Sequence, residues 1–186
     1  LLADIGWLPS GAGDLVDQHF LLQGFFLFLP LKGVHYLWDV YDRRIDPYPF
    51  DTVALWFFFF PSFRGAPFSR IESFAEQDRS LPQTLASDRV WQGLRRILVG
   101  VVRGAGANLV YSRLSSESVW AQPTQASAVQ LWLAAYGYTL FIYLVFSGFV
   151  DFMIGSSLLL GYRLPENFSR PYLQFDLRGF WRGWNI

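Results

Sequence analysis

The sequence of 186 residues contains no cysteine and few charged residues. Without cysteine the chain holds no disulfide, no thiolate-ligated zinc and no thiol nucleophile, which excludes acyl transfer through a Cys thioester within it. Charged residues make up 16% of the sequence, whereas an ordinary soluble domain has about 25%. Since a soluble surface needs charge, this deficit argues against a soluble domain.

Lysine is nearly absent, Lys32 being the only one, and the formal net charge is zero. A chain without excess positive charge lacks the electrostatic surface that binds nucleic acid, so we exclude nucleic acid as a partner. The sequence also lacks the Gly-x-Ser-x-Gly, His-Glu-x-x-His and phosphate-loop motifs of soluble enzymes. We therefore predict no metal site and no bound cofactor.

Apolar and aromatic residues are abundant, at 52% and 19% of the sequence. They concentrate in four regions, which are Phe20 to Trp38, Thr52 to Phe63, Arg89 to Tyr111 and Ser118 to Tyr162. Such regions predict an all-α, polytopic transmembrane protein, with the lipid bilayer as its first partner. Broken or re-entrant helices and interfacial amphipathic helices are expected within it.

An interruption is predicted in the first region, and the second and third regions each leave an alternative open. The first is long enough to cross a bilayer, but Pro30 and Gly33 are predicted to interrupt it. The second is too short to span, so it is either the end of a crossing that starts near Pro47 or a re-entrant segment. The third alternates apolar residues with arginines, and it either lies at the membrane surface or spans the membrane.

The fourth region is the most apolar, with no charged residue from Ser118 to Val150. As a helix, Ser127 to Tyr162 would measure about 54 Å, whereas the hydrocarbon core is about 30 Å thick. The region must therefore tilt and project beyond the core, or break, and Ser147-Gly148 is the expected break point. The tail from Arg163 to Ile186 contains four arginines, which favours the cytoplasmic side for it.

Two ionisable residues lie within the apolar regions. Asp151 must face protein or water, with Arg163 or a backbone amide as its expected partner. It is either a polar anchor of an active-site cavity or the boundary between two helices. His35 is either functional, as intramembrane ionisable residues often are, or hydrogen-bonded between helices or at headgroup level. His19 is predicted to be interfacial.

Two further segments stand out in the tail. Prolines fix the backbone around Asn167 and Arg170 in Pro165-Glu166-Asn167-Phe168-Ser169-Arg170-Pro171. Such a turn usually only connects elements. In Phe180-Trp181-Arg182-Gly183-Trp184-Asn185 two tryptophans flank an arginine, and composition alone favours an interfacial aromatic anchor.

Taken in order, these segments resemble the membrane-bound O-acyltransferase family, in its bacterial branch of alginate O-acetylases and D-alanyl transfer proteins. That branch has a Tyr-x-Asp-Phe-Ser-Gly-Tyr-Ser-Asp block, a Leu-Pro-Glu-Asn-Phe turn and a Phe-Trp-Arg-Arg-Trp-His signature. The matching residues here are Tyr136 to Tyr143, Phe146 to Phe149 with Asp151 and Ile154-Gly155, then Gly161 to Phe168 with Arg170-Pro171-Tyr172, then Phe180 to Asn185. Weaker matches upstream are Leu29 to Tyr41 and Phe59-Phe60-Pro61 with Gly65-Ala66-Pro67.

The chain departs from that pattern at four positions. Val145 replaces the first Asp of the block, Ala66 interrupts a Gly-Pro pair, and Gly183 replaces the second Arg of the signature. Asn185 stands where that branch usually has His, although other members of the wider family have Asn there. In the family a catalytic His follows some tens of residues later, so we expect the natural polypeptide to continue beyond Ile186.

The resemblance implies a single membrane-embedded acyltransferase-like domain, of which residues 1–186 form a part. It implies acyl transfer from an activated thioester, on coenzyme A or a carrier, to a hydroxyl of an envelope polysaccharide or lipid. Asn185 would be the catalytic residue of this chain. Asp151, Asn167, Arg170, Arg182 and Trp184 would bind substrate.

The resemblance also implies a multi-pass protein of the bacterial inner membrane, working with other membrane or envelope-modification subunits. A rival hypothesis is a non-catalytic membrane subunit derived from this family. The replacements at Val145 and Asn185 and the His expected only further along the polypeptide favour that rival.

Overall fold

The computed structural model describes residues 18–62, 69–81, 84, 86–115 and 117–184. For residues 18–28, 117 and 118 it describes the backbone only. Gly65-Ala66-Pro67 and Asn185 lie outside the described residues, as does the side chain of His19. Seven α-helices occur in the described part. They are α1 Gln18–Tyr41, α2 Phe50–Phe57, α3 Ile71–Arg79, α4 Ser87–Leu114, α5 Glu117–Ala121, α6 Ala128–Leu159 and α7 Leu177–Gly183.

The prediction of an all-α fold is confirmed, since the described residues form helices and no strand. Three short 3-10 turns accompany the helices, at Phe60–Ser62, Pro123–Gln125 and Pro171–Leu173. Within the described part, α6 is the one helix that is long and apolar enough to cross a membrane. Several crossings and a re-entrant second region stay predictions.

Two expected interruptions are wrong, because α1 and α6 are continuous helices. α1 runs through Pro30 and Gly33. Beyond the proline it packs on α2, where a Cβ added at Gly33 would lie 3.4 Å from the Phe57 ring. α6 runs through Ser147 and Gly148 for a total of 32 residues. Asp151 is therefore not the boundary between two helices.

The chain divides into two compact units, one containing Arg96–Phe152 and the other Gln18–Arg95 with Met153–Ile186. In the first unit, α4 and α6 touch backbone to backbone. A Cβ added at Gly100 would lie 2.6 Å from the Gly148 carbonyl oxygen, and one added at Gly148 would lie 2.8 Å from that of Gly100. The small residues at 147 and 148 therefore permit close helix packing rather than a break.

The contact at Gly100 predicts opposite results for two glycines of the same helix. Gly100→Ala should lower the free energy of unfolding by about 1–3 kcal/mol, because the added methyl has no room against the Gly148 backbone. Gly106→Ala meets nothing within 4 Å, so it should be neutral or should stabilise by up to about 1 kcal/mol through helix propensity. Unfolding in detergent measures the free energy of unfolding of each variant. Equal free energies for the two variants would contradict the close packing at Gly100.

In the second unit, the only lysine is buried between α1 and the end of α2. The Nζ atom of Lys32 donates hydrogen bonds to the Trp56 carbonyl oxygen at 2.7 Å and to Ser62 Oγ at 2.8 Å. It also lies 4.4 Å from the centre of the Trp56 ring. Trp56 Nε1 in turn donates to the Ser69 carbonyl oxygen at 3.0 Å. The Trp56 carbonyl oxygen near the C-terminal end of α2 thereby gains a hydrogen-bond donor from outside the helix.

Candidate functional site

The segment that follows α6 is held against α3 in the second unit. The Tyr162 ring stacks on Phe74 with 4.7 Å between ring centres, and Phe59 packs on both rings. The Tyr162 hydroxyl donates to Asp78 Oδ1 at 2.5 Å. Burial, followed by the bond to Asp78, raises the pKa of Tyr162 above its ordinary value, so the phenol remains a donor at neutral pH.

Two further contacts fix the same segment. Gln77 pairs with the backbone of Arg163, accepting from its N–H at 2.6 Å and donating to its carbonyl oxygen at 3.1 Å. Arg89 Nη1 donates to the Gly161 carbonyl oxygen at 3.0 Å. The start of the turn that contains Asn167 is therefore anchored by α3 and α4 rather than being a simple connector.

The turn and α7 meet, although their motifs are separated in the sequence. The Ser169 N–H donates to the Gly183 carbonyl oxygen at 2.9 Å, and Phe168 forms an isolated antiparallel bridge with Trp184. A Cβ at Gly183 would lie 2.7 Å from the Ser169 carbonyl oxygen. The residue that departs from the family signature is thus the one that permits this contact.

Aromatic rings fill the space between the turn and α7. Trp184 stacks on Phe180 at 5.5 Å between ring centres, and Phe168 and Tyr172 meet its face edge-on at 5.3 and 6.2 Å. Edge-to-face and offset-stacked rings add to the energy of apolar burial. We call Phe168, Tyr172, Phe180 and Trp184 the aromatic cluster.

The structure brings together four of the six predicted site residues. Asn167 is buried beside the cluster and Trp184 belongs to it. Arg170 has φ 47°, a left-handed conformation that is unusual for a residue other than glycine, and precedes the 3-10 turn Pro171–Leu173. Arg182 lies in the last turn of α7, and both arginine side chains are exposed. Asn185, the predicted catalytic residue, lies outside the described residues.

Asp151 lies in the first unit and is buried, with 2% of its surface exposed. Its two carboxylate oxygens accept hydrogen bonds from Arg96 and Arg103 of α4. The prediction that this carboxylate faces protein is confirmed, whereas Arg163 as its partner is wrong. Arg163 is closer to Asp151 in the sequence, but Arg96 and Arg103 are its partners in space. The spacing of Arg96 and Arg103, seven residues apart on one helix face, could have indicated the correct pair.

The remaining predicted residues have ordinary structural partners. His35 Nδ1 lies 3.4 Å from Asp39 Oδ2, one helical turn away on α1. This contact lies within one helix and not between helices, so the alternatives given for His35 stay predictions. The roles of Gln77, Asp78, Ser169 and the aromatic partners of Trp184 could not be predicted from the sequence, because they depend on contacts between distant segments.

Comparison with known proteins gives no matching family model but several relatives. The chain is 30% identical over 179 residues to the probable alginate O-acetylase AlgI of Pseudomonas aeruginosa, covering 95% of this chain and 33% of that protein. It is 23% identical over 165 residues to the teichoic acid D-alanyltransferase of Bacillus subtilis, covering 86% and 40% respectively.

A shorter match links the chain to the peptidoglycan O-acetyltransferase of Helicobacter pylori. The identity is 38% over 63 residues, which cover 34% of this chain and 12% of that protein. The chain spans about a third of the length of the alginate O-acetylases that it matches.

Proposed function

Because the chain is homologous to bacterial membrane-bound O-acyltransferases over nearly its whole length, we propose that it forms part of an enzyme that moves an acyl group from a thioester to a hydroxyl. The homologues are named for transfer to alginate, teichoic acid or peptidoglycan. An envelope polysaccharide or lipid is therefore the proposed acceptor, and acyl coenzyme A or an acyl-carrier protein the proposed donor. A multi-pass location in the bacterial inner membrane is compatible with both the proposed donor and the proposed acceptor.

One observation supports this proposal most strongly: the turn around Asn167 and the signature of α7 are joined through Ser169, Gly183 and the aromatic cluster. Residues that only anchored a chain at the membrane surface would not need this contact between two motifs. The cluster gives Trp184 a fixed position, and the residue that follows it is Asn185.

The proposed chemistry needs three kinds of group. A base must take the hydroxyl proton, and we assign this role to a histidine outside residues 1–186. A donor must stabilise the oxyanion of the tetrahedral intermediate, and the amide of Asn185 can both donate and accept. Arg170 and Arg182 are exposed guanidinium groups of the same unit, suited to a phosphate or carboxylate of the donor or its carrier.

The test uses the purified full-length protein with an acyl thioester and a hydroxyl acceptor. Trp184→Ala should lower turnover by about tenfold or more, since loss of the cluster's central ring releases the positioned groups. Trp91→Ala removes a tryptophan that is 68% exposed on α4 and should leave turnover within about twofold. Equal turnover in the two variants would mean that the cluster does not position reacting groups.

The rival function is a non-catalytic subunit, favoured by Val145 in α6 where the family has Asp. A subunit of that kind would need the cluster for assembly only. Trp184→Ala would then reduce recovery of the complex, and wild-type protein would show no thioester turnover.

A further inference from the structure

One side chain of α3, that of Gln77, holds both backbone polar groups of Arg163. Its amide oxygen accepts from the Arg163 N–H at 2.6 Å, and its amide nitrogen donates to the Arg163 carbonyl oxygen at 3.1 Å. The two residues are 86 positions apart in the sequence and lie in the same unit. Because an amide can donate and accept at once, Gln77 fixes both the position and the direction of the backbone at Arg163.

The neighbouring contacts restrain this segment less completely. Arg89 donates one hydrogen bond, to the Gly161 carbonyl oxygen, and Asp78 reaches only the hydroxyl at the end of a side chain. Gly161 has φ 93°, a conformation that glycine adopts more readily than other residues. The chain therefore changes direction just before Arg163, and the backbone that Gln77 holds sets its new course.

The chain between Arg163 and the aromatic cluster is stiff. Leu164 is buried, and as the residue before a proline it is restricted to extended conformations. Pro165 has a fixed φ, and Asn167 is buried with 4% of its surface exposed. A displacement at Arg163 is therefore carried to Phe168 and not absorbed on the way.

From Phe168 the contacts continue to the signature of α7. The Ser169 N–H donates to the Gly183 carbonyl oxygen at 2.9 Å, and Phe168 forms its antiparallel bridge with Trp184. Asn185 is the next residue in the sequence. The position of the turn therefore determines where the end of α7 lies.

We propose that Gln77 is a positioning residue for acyl transfer, which holds the turn through Arg163 and thereby places Asn185. This role rests on the function proposed above. The Gln77 amide bonds to backbone and not to substrate, so its loss removes no group that binds the donor. Its loss should therefore lower kcat, which depends on exact placement at the reacting centre, far more than it raises KM.

The test compares Gln77→Met with Gln92→Met in the full-length protein. Methionine is about as long as glutamine and has a similar helix propensity, so Gln77→Met removes the two hydrogen bonds and changes little else. Gln92 is an exposed glutamine of α4 and serves as the matched control. Two measurements are made on equal amounts of folded protein: deuterium exchange at the Ser169 amide, and steady-state kcat and KM with an acyl thioester.

Gln77→Met should speed exchange at the Ser169 amide about fivefold, the effect of losing about one net hydrogen bond. It should lower kcat about tenfold and change KM by less than about threefold. Gln92→Met should stay within about twofold of wild type in all three quantities. Gln77→Glu keeps the acceptor for the Arg163 N–H and loses only the donor, so its values should lie between those of wild type and Gln77→Met. It replaces Gln77→Met if that variant does not fold.

Three results would overturn the proposal. Exchange at Ser169 could be as slow in Gln77→Met as in Gln92→Met, which would show that Gln77 does not hold the turn. Exchange could rise while kcat per folded protein stays at the Gln92→Met value, which would limit Gln77 to a structural role. Wild-type protein without thioester turnover would overturn both this role and the proposed function, whereas the first two results leave the proposed function standing.

Discussion

Asn185→Ala in the full-length protein is expected to lower acyl transfer by between about tenfold and a thousandfold, the range for losing one oriented polar group at a reacting centre. Membrane insertion and the unfolding temperature should not change, because the substitution leaves the apolar helices intact. The measurement is steady-state turnover with a thioester donor and a hydroxyl acceptor.

The control for this prediction is Gln125→Ala. It also removes an amide side chain, but from an exposed position in the 3-10 turn before α6. Its turnover should stay within about twofold of wild type. Turnover of Asn185→Ala at the wild-type rate would remove Asn185 from the mechanism.

The second large effect is expected for stability and concerns Asp151. Asp151→Asn leaves two guanidinium groups facing a neutral amide in the buried contact between α4 and α6. Breaking a buried ion pair in this way costs roughly 3–5 kcal/mol. Because the arginines are about a third exposed, water compensates in part, and we expect a loss of about 2–3 kcal/mol in the free energy of unfolding.

Unfolding in detergent, followed by circular dichroism, measures the loss at Asp151. The control is Asp46→Asn, at an exposed position after α1, which should change stability by less than about 0.5 kcal/mol. Asp78 is unsuitable as a control for Asp151, although the sequence places it in a polar segment, because it accepts the hydrogen bond of Tyr162. An unfolding midpoint of Asp151→Asn equal to that of Asp46→Asn would falsify the structural role of Asp151.

The apolar regions predicted α1, α2, α4 and α6 with approximate limits, because apolar regions of this length have few other solutions in a membrane. The helices α3 and α7 lie outside those regions. The burial of Asp151 followed from the same principle, since an ionised side chain avoids lipid. Its partners did not follow, because Arg96 and Arg103 lie some fifty residues away on another helix. The seven-residue spacing of the two arginines marks a shared face of α4, but the sequence does not show that this face meets α6.

Helix-breaking residues do not interrupt the two apolar helices in which they occur. Pro30 and Gly33 indicated a broken α1, and Ser147-Gly148 indicated a broken α6, yet both helices are continuous. At Gly148 the missing side chain makes room for the Gly100 backbone, and tertiary packing outweighs the low helix propensity of glycine. A glycine in an apolar helix therefore predicted close approach better than it predicted a break.

Gly183 illustrates how a departure from a family pattern can carry structural meaning. From the sequence it was a lost arginine of the signature. In the structure it is the position where α7 touches the turn, with the Ser169 carbonyl oxygen 2.7 Å from any added Cβ. Its presence therefore indicates a different local packing of the signature and does not by itself indicate loss of activity.

The central claim is that the full-length protein transfers acyl groups. The most direct measurement supplies purified full-length protein, reconstituted in lipid, with a thioester carrying a labelled acyl group and with a hydroxyl-bearing envelope polymer. We predict that label appears on the polymer in an ester bond, that free thiol is released in equal amount, and that Trp184→Ala greatly slows both. Release of no thiol, with the protein correctly folded in its membrane, would contradict the claim and leave the non-catalytic subunit as its replacement.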